Sequence, residues 1–174
     1  SIKTATTLGA TIDINNSVAG NTIANGGSLT STNVQPASLY AAAVGNVTAS
    51  FTTANSIPAD GKIEVAFPAG FTLSSGAATT ASSSTLNVGT SIASTTVDTV
   101  NKIVTITLTG TTQEGAGAET FTFSNIKNPT TAGSTGTYAI KTATASGTTT
   151  GRIDQDTAVA ADTLLSITLS SWNL

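Results

Sequence analysis

Few residues of this chain have the types and spacing that chemistry needs. Glu114 and Glu119 flank a Gly-rich stretch, and Asp154 and Asp156 flank Gln155. Paired carboxyls could serve glycoside hydrolysis, one as acid and one as base or nucleophile. Two close aspartates could offer hard oxygens to Ca²⁺, but a full site takes six or more ligands, and no D-x-D-x-D-G loop is present. Both pairs therefore read as loop and turn charges. Histidine is absent, and with it the commonest general base and metal ligand. A serine nucleophile would have to take lysine or a carboxylate as its base, and no G-x-S-x-G or S-x-x-K stands in a useful context. Cysteine is absent too, which excludes disulfides and thiolate metal sites. The expectation is no catalytic residue, no metal and no cofactor, and hence not an enzyme.

Other classes of partner are narrowed in the same way. Lys3, Lys62, Lys102, Lys127, Lys141 and Arg152 are scattered, so no run of phosphates could be neutralised and no nucleic acid is expected. No stretch of about 18 apolar residues exists, so no membrane span is expected. Two N-x-S/T sequons, at Asn15 and Asn46, would accept a glycan where the source has the machinery. Thr105, Thr107 and Thr109 form a ladder that reads as the solvent face of an antiparallel strand.

The elements that would position these residues are strands. Charged residues make up 9% of the 174 positions, against about 25% in an ordinary chain. Polarity comes instead from Thr, Ser, Asn and Gly, among Val and Ile, a composition that suits strands and disfavours long helices. Val47, Ala49 and Phe51 alternate with Thr48, Ser50 and Thr52. Ile63, Val65 and Phe67 alternate with Lys62, Glu64 and Ala66. Further strands are read around 91–97, 103–108, 121–126 and 138–140, and a long last one over 159–169. The stretch 74–85 reads as a surface loop. Turn chemistry separates the strands at Pro58-Ala59-Asp60-Gly61, Asp98 to Asn101, Asn128-Pro129 and Gly133 to Gly136. Eight or nine strands at this spacing predict an all-β, immunoglobulin-like antiparallel β-sandwich with an extended N-terminal strand.

That N-terminal strand is the most informative feature. Ile2, Leu8, Ile12, Ile14 and Val18 are all even-numbered, which is period two over an unusually long run. Asn25-Gly26-Gly27 then marks a linker or hairpin. The chain is read as an arm and linker over 1–36, followed by a sandwich domain over 37–174. Two placements stay open for the arm. It could pair within its own sheet, or it could act as a donor strand on the open edge of a neighbour, with those five residues as the subunit interface.

Residues 51–71, from Phe51 through Pro58-Ala59-Asp60-Gly61 to Phe67-Pro68-Ala69-Gly70-Phe71, resemble the opening of an immunoglobulin-like module of extracellular and cell-surface structural proteins. Phe123-Ser124-Asn125-Ile126-Lys127-Asn128-Pro129 and Gly133 to Tyr138 are similar to its later part. The resemblance spans about 45–145 and implies surface architecture with no catalytic residues. The expected function is a subunit of an extracellular filament or pilus, polymerising with copies of itself through the arm. The alternative is a surface-layer or adhesin-type module that contacts other cells or surfaces without polymerising. No methionine stands at position 1, and a removed signal peptide would account for that. The expected location is extracellular or at the cell surface.

Overall fold

The computed structural model describes residues 2–8, 11–15, 26–74 and 79–166. They fold entirely as strands, turns and loops. The elements are β1 (Ile2–Ala5), β2 (Thr11–Asn15), β3 (Gly27–Ser28), β4 (Thr30–Pro36), β5 (Val44–Thr52), β6 (Lys62–Ala66), β7 (Ala81–Ser83), β8 (Thr90–Asp98), β9 (Ile103–Gly110), β10 (Ala118–Lys127), β11 (Gly133–Ser134), β12 (Tyr138–Ala143), β13 (Arg152–Val159) and β14 (Thr163–Leu164). A four-stranded sheet runs β4-β5-β10-β7, and a six-stranded sheet runs β3-β13-β12-β6-β9-β8. Two small ribbons, β1-β2 and β11-β14, complete the set.

The alternation read from the sequence fills one core between the two sheets. Val47, Ala49, Phe51, Phe121 and Phe123 come from the smaller sheet, and Ile63, Val65, Val104, Ile106, Leu108, Tyr138 and Ile140 from the larger. Phe51 stacks on Phe121 at 6.0 Å. Phe67 meets Phe71, Phe123 and Tyr138 at 5.5, 6.2 and 5.9 Å. Such tilted and edge-to-face ring pairs are favoured over face-to-face sandwiches. Ile126 breaks the odd-numbered parity of Phe121 and Phe123, yet it is buried. The β10–β5 register shifts between Phe123 and Ile126, and Asn125 adopts a φ of 53°. One extra residue in a bulge returns the next apolar side chain to the core.

Several expectations are corrected. The arm is not one extended strand: β1 pairs antiparallel with β2, Ile2 opposite Asn15 and Lys3 opposite Ile14. From Ile2 to Thr4 the register sets even positions opposite odd ones, and it shifts before Ala5 meets Thr11, so one parity does not run through both strands. The expected linker over 19–36 holds β3 and β4. β3 runs parallel to β13, and β4 pairs with β5. Only Val34, wholly buried, gives β4 a large apolar anchor, so periodicity was silent there. The expected loop over 74–85 holds β7, which pairs with β10 and has no large apolar residue at all. The long last strand is interrupted: β13 ends at Val159, and β14 pairs with β11 instead. Asp162 makes the break, because its backbone and carboxyl bond Thr135 and Tyr138.

Candidate functional site

The chain brings Glu114 and Glu119 together. Glu119 lies on β10 opposite Phe51, and Glu114 exchanges both backbone hydrogen bonds with Ile57, at 2.8 and 2.9 Å. Both are buried, at 2% and 3% exposure. The Asn87 N–H donates to Glu114 Oε2 at 2.9 Å, and the Thr85 hydroxyl donates to Glu119 Oε2 at 2.7 Å. Burial pushes the Glu119 carboxyl above its usual range; the charge and hydrogen bonding of Glu114 add to this, while the Thr85 bond opposes it. This is a pair of the kind the sequence suggested, but it is sealed under the 85–87 segment.

Asp154 and Asp156 part company. Asp154 is wholly buried. Its Oδ2 accepts the N–H groups of Ala54 and Asn55 at 3.0 and 2.9 Å, and its Oδ1 accepts the Asn55 side-chain amide at 2.7 Å. Asp156 accepts the Thr32 hydroxyl at 2.6 Å and the Ala158 N–H at 2.9 Å. Both therefore staple neighbouring segments. Among the described residues no group of three or more His, Cys, Asp or Glu side chains is placed to hold a metal ion. No helix there is long and apolar enough to cross a membrane. Asn46 is exposed on β5, and Thr105 and Thr107 stand opposite Glu64 and Lys62 on the outer side of the larger sheet.

Of the five N-terminal residues expected at an interface, four lie among the described residues. Ile2, Ile12 and Ile14 fall in β1 and β2, Leu8 is 96% exposed in the connection, and Val18 lies outside the described residues. The β1-β2 ribbon is not hydrogen-bonded to either large sheet, so the described strands do not pair the arm within its own sandwich.

The two sides of the sandwich differ in how their edge strands meet. The side at β3 and β4 is closed: Leu29 N–H donates to Gln155 O at 3.1 Å, and Thr32 reaches Asp156. At the other side, edge strands β7 and β8 meet through one bond, Ala81 N–H to Thr95 Oγ1 at 3.3 Å. Ala81, Leu86, Ile92 and Val97 pack on the core there but stay only partly buried. β8 has nine residues, one hydrogen-bonded neighbour among the described residues, no Lys, Arg or Pro, and a single charge at its end, Asp98. Natural edges are usually blunted by such residues; here only the bulge at Ile92–Ser94 does so. Sequence reasoning missed this seam, because which strands become edges is set by long-range pairing. It also missed a smaller apolar patch of Leu39, Tyr40, Val44 and Leu165, gathered where Tyr40 bridges Leu165.

No family model matches the sequence, and no curated protein matches it. Among solved structures, one described as BslA, a bacterial hydrophobin, is similar at 15% identity and a TM-score of 0.43, over 80% of this chain and 98% of the other.

Proposed function

We propose that this chain is a non-enzymatic structural subunit of an extracellular filament or pilus, in which the N-terminal strand of one subunit complements the next. The β7–β8 seam carries this reading. Its backbone edge is unpaired among the described residues, and four partly buried residues packed against the core are incompletely covered. An added strand would supply main-chain hydrogen bonds to β8, and alternate apolar side chains would cover those residues. The arm has the means: residues 2–15 extended would reach roughly 46 Å, against about 30 Å for nine-residue β8. A two-stranded ribbon alone is marginally stable in water, so exchanging its internal pairing for β8 costs little. A head-to-tail contact of this kind does not close on itself and builds a fibre.

The strand order supports an immunoglobulin-like reading of the fold. β5 lies beside β10 in one sheet, and β6, β12 and β13 lie side by side in the other, as strands B-E and C-F-G do in that architecture. Tyr138 opens β12 with its hydroxyl tied to a neighbouring corner, the place of the tyrosine corner. The departure is the path through β7 before the β8–β9 hairpin.

Electron microscopy of the full chain, a version lacking residues 1–18, and V97K tests the reading. Regular filaments from the full chain alone are expected. Filaments from the truncated chain would overturn the role of the arm, and filaments from V97K would overturn the seam as acceptor. The second reading, a surface-layer or adhesin-type module, is favoured by the exposed Leu39–Tyr40–Val44–Leu165 patch. It would show as a full chain that stays monomeric and equally folded with or without the arm.

A further inference from the structure

Glu114 and Glu119 carry a second inference, independent of polymerisation. The two carboxyls sit on the flanks of Gly115-Ala116-Gly117, nearly without access to water. Each takes one hydrogen bond from the same short segment, through Asn87 and Thr85. Thr85 is itself anchored, since its oxygen accepts the Thr120 N–H at 2.9 Å. Leu86 lies between them and packs on the core.

The surroundings are free of compensating charge. β5 presents Phe51 and Thr52 opposite Glu119 and Ala118. The turn after it presents Thr53 and Ile57, and the segment after β7 presents Thr85, Leu86, Asn87 and Thr90. None of these side chains titrates. The one charge acting on Glu119 is that of Glu114. Two buried carboxylates side by side without a cation cannot both ionise at acceptable cost, so a proton takes the place of the cation.

We propose that Glu119, buried beside Glu114 with no cation, holds a proton and makes the pair an acid-set clasp on the 85–87 segment, closed in acid and opened as that proton is lost. The sign follows from linkage. In the opened state Glu119 meets water and ionises as a free side chain does, near the ordinary value of 4.5. In the closed state the proton is kept to higher pH. Opening therefore releases a proton, and raising the pH favours it by about tenfold per unit. The effect starts near the ordinary glutamate value and levels off once the closed pair itself ionises. The released segment bears Leu86, which lines the β7–β8 seam, and Val88, which is fully exposed at its tip.

Two measurements on the full chain test the clasp. The chain has three glutamates, Glu64, Glu114 and Glu119, so carboxyl ¹³C resonances can be followed through a titration. The Glu119 resonance is expected to keep its proton well above the ordinary glutamate range; its ionisation at or below that range overturns the proposal. Hydrogen exchange of peptides covering 84–90, corrected for the intrinsic rate, should lose about tenfold in protection per pH unit over the same window. In E119Q the side-chain amide donates to Glu114 at every pH, so that slope should vanish. A flat profile in the unmodified chain, or an unchanged slope in E119Q, would overturn the clasp. If E119Q does not fold, the carboxyl titration of the unmodified chain decides alone.

Discussion

Asp154 has no access to water, and its carboxyl takes three N–H donors from Ala54 and Asn55. Those bonds hold the β5–β6 turn against β13. Removing the carboxyl strands buried donors, which costs more than the bonds are worth in isolation. Asp154→Ala should therefore lose about 2–4 kcal/mol in urea unfolding. Asp154→Asn should lose about 1–3 kcal/mol, because its amide puts a donor where donors already point. A loss under about 0.5 kcal/mol, the range of ordinary surface changes, would deny the staple. Gly27 fits beneath this cluster because a Cβ there would strike Asp154 Oδ1 and Asn55 Nδ2. Tyr138 is a comparable case. Its hydroxyl donates to Asp162 Oδ2 at 2.8 Å, and burial, with the Asp162 bond and charge adding to it, pushes its ionisation well above the ordinary 10.0. The neutral phenol thus contributes stability that is full below pH 10.0 and is lost as pH rises through the raised value. An alkaline titration read by tyrosinate absorbance should show one of the two tyrosines ionising late, together with unfolding. Residue types and spacing singled out both carboxylate pairs but read them as loop and turn charges; the burial of Glu114, Glu119 and Asp154 overturns that reading.

At the scale of elements, the β4–β5 connection offers a clean test of backbone strain. Ala42 is exposed and holds a φ of 61°, which an L-residue with a Cβ adopts at a cost. Its N–H still donates to Pro129 O, so the conformation is fixed by the fold. Ala42→Gly should stabilise by about 1 kcal/mol, a rise of about 2–4 °C in Tm. An unchanged or lower Tm would mean that glycine's freedom in the unfolded chain outweighs the relief. Strands with alternating large apolar residues, such as β5, β6 and β9, could be read directly, since half-buried strands leave a period-two trace. β4 and β7 could not, because they join the small sheet with one large apolar residue or none. The parity of the N-terminal run read Ile2–Ala5 and Thr11–Asn15 as strand but joined them wrongly as one strand, since period two does not reveal where a ribbon turns. The seam at β7–β8 left no local trace, and neither did its partly covered residues. Edges arise from which strands pair, and pairing joins residues as distant as Leu29 and Gln155.

At the scale of the whole molecule, charge is scarce and its placement uneven. The net charge is −3, and two rows across the outer face of the four-stranded sheet are uncharged, Gln35, Thr48, Thr122 and Ser82 in one and Asn33, Ser50 and Thr120 in the other, with Lys127 standing at the end of β10. Thr48 and Thr122 hydroxyls meet at 3.3 Å across that face. Copies of such a molecule repel one another little, so association is left to backbone edges and apolar contact. The seam has this character, with Asp98 as the sole charge on β8. Salt screens exposed charges over about 10 Å at 0.1 M and about 3 Å at 1 M, but it leaves hydrogen bonds in a covered seam almost untouched. Filament growth followed by light scattering should therefore change by less than about twofold between roughly 20 mM and 500 mM sodium chloride. Charge-steered association would instead slow by an order of magnitude or more across that range. A steep fall with salt would move the subunit contact away from the β7–β8 seam, toward the larger sheet's outer face, where Lys62, Glu64 and Lys141 stand in neighbouring strands.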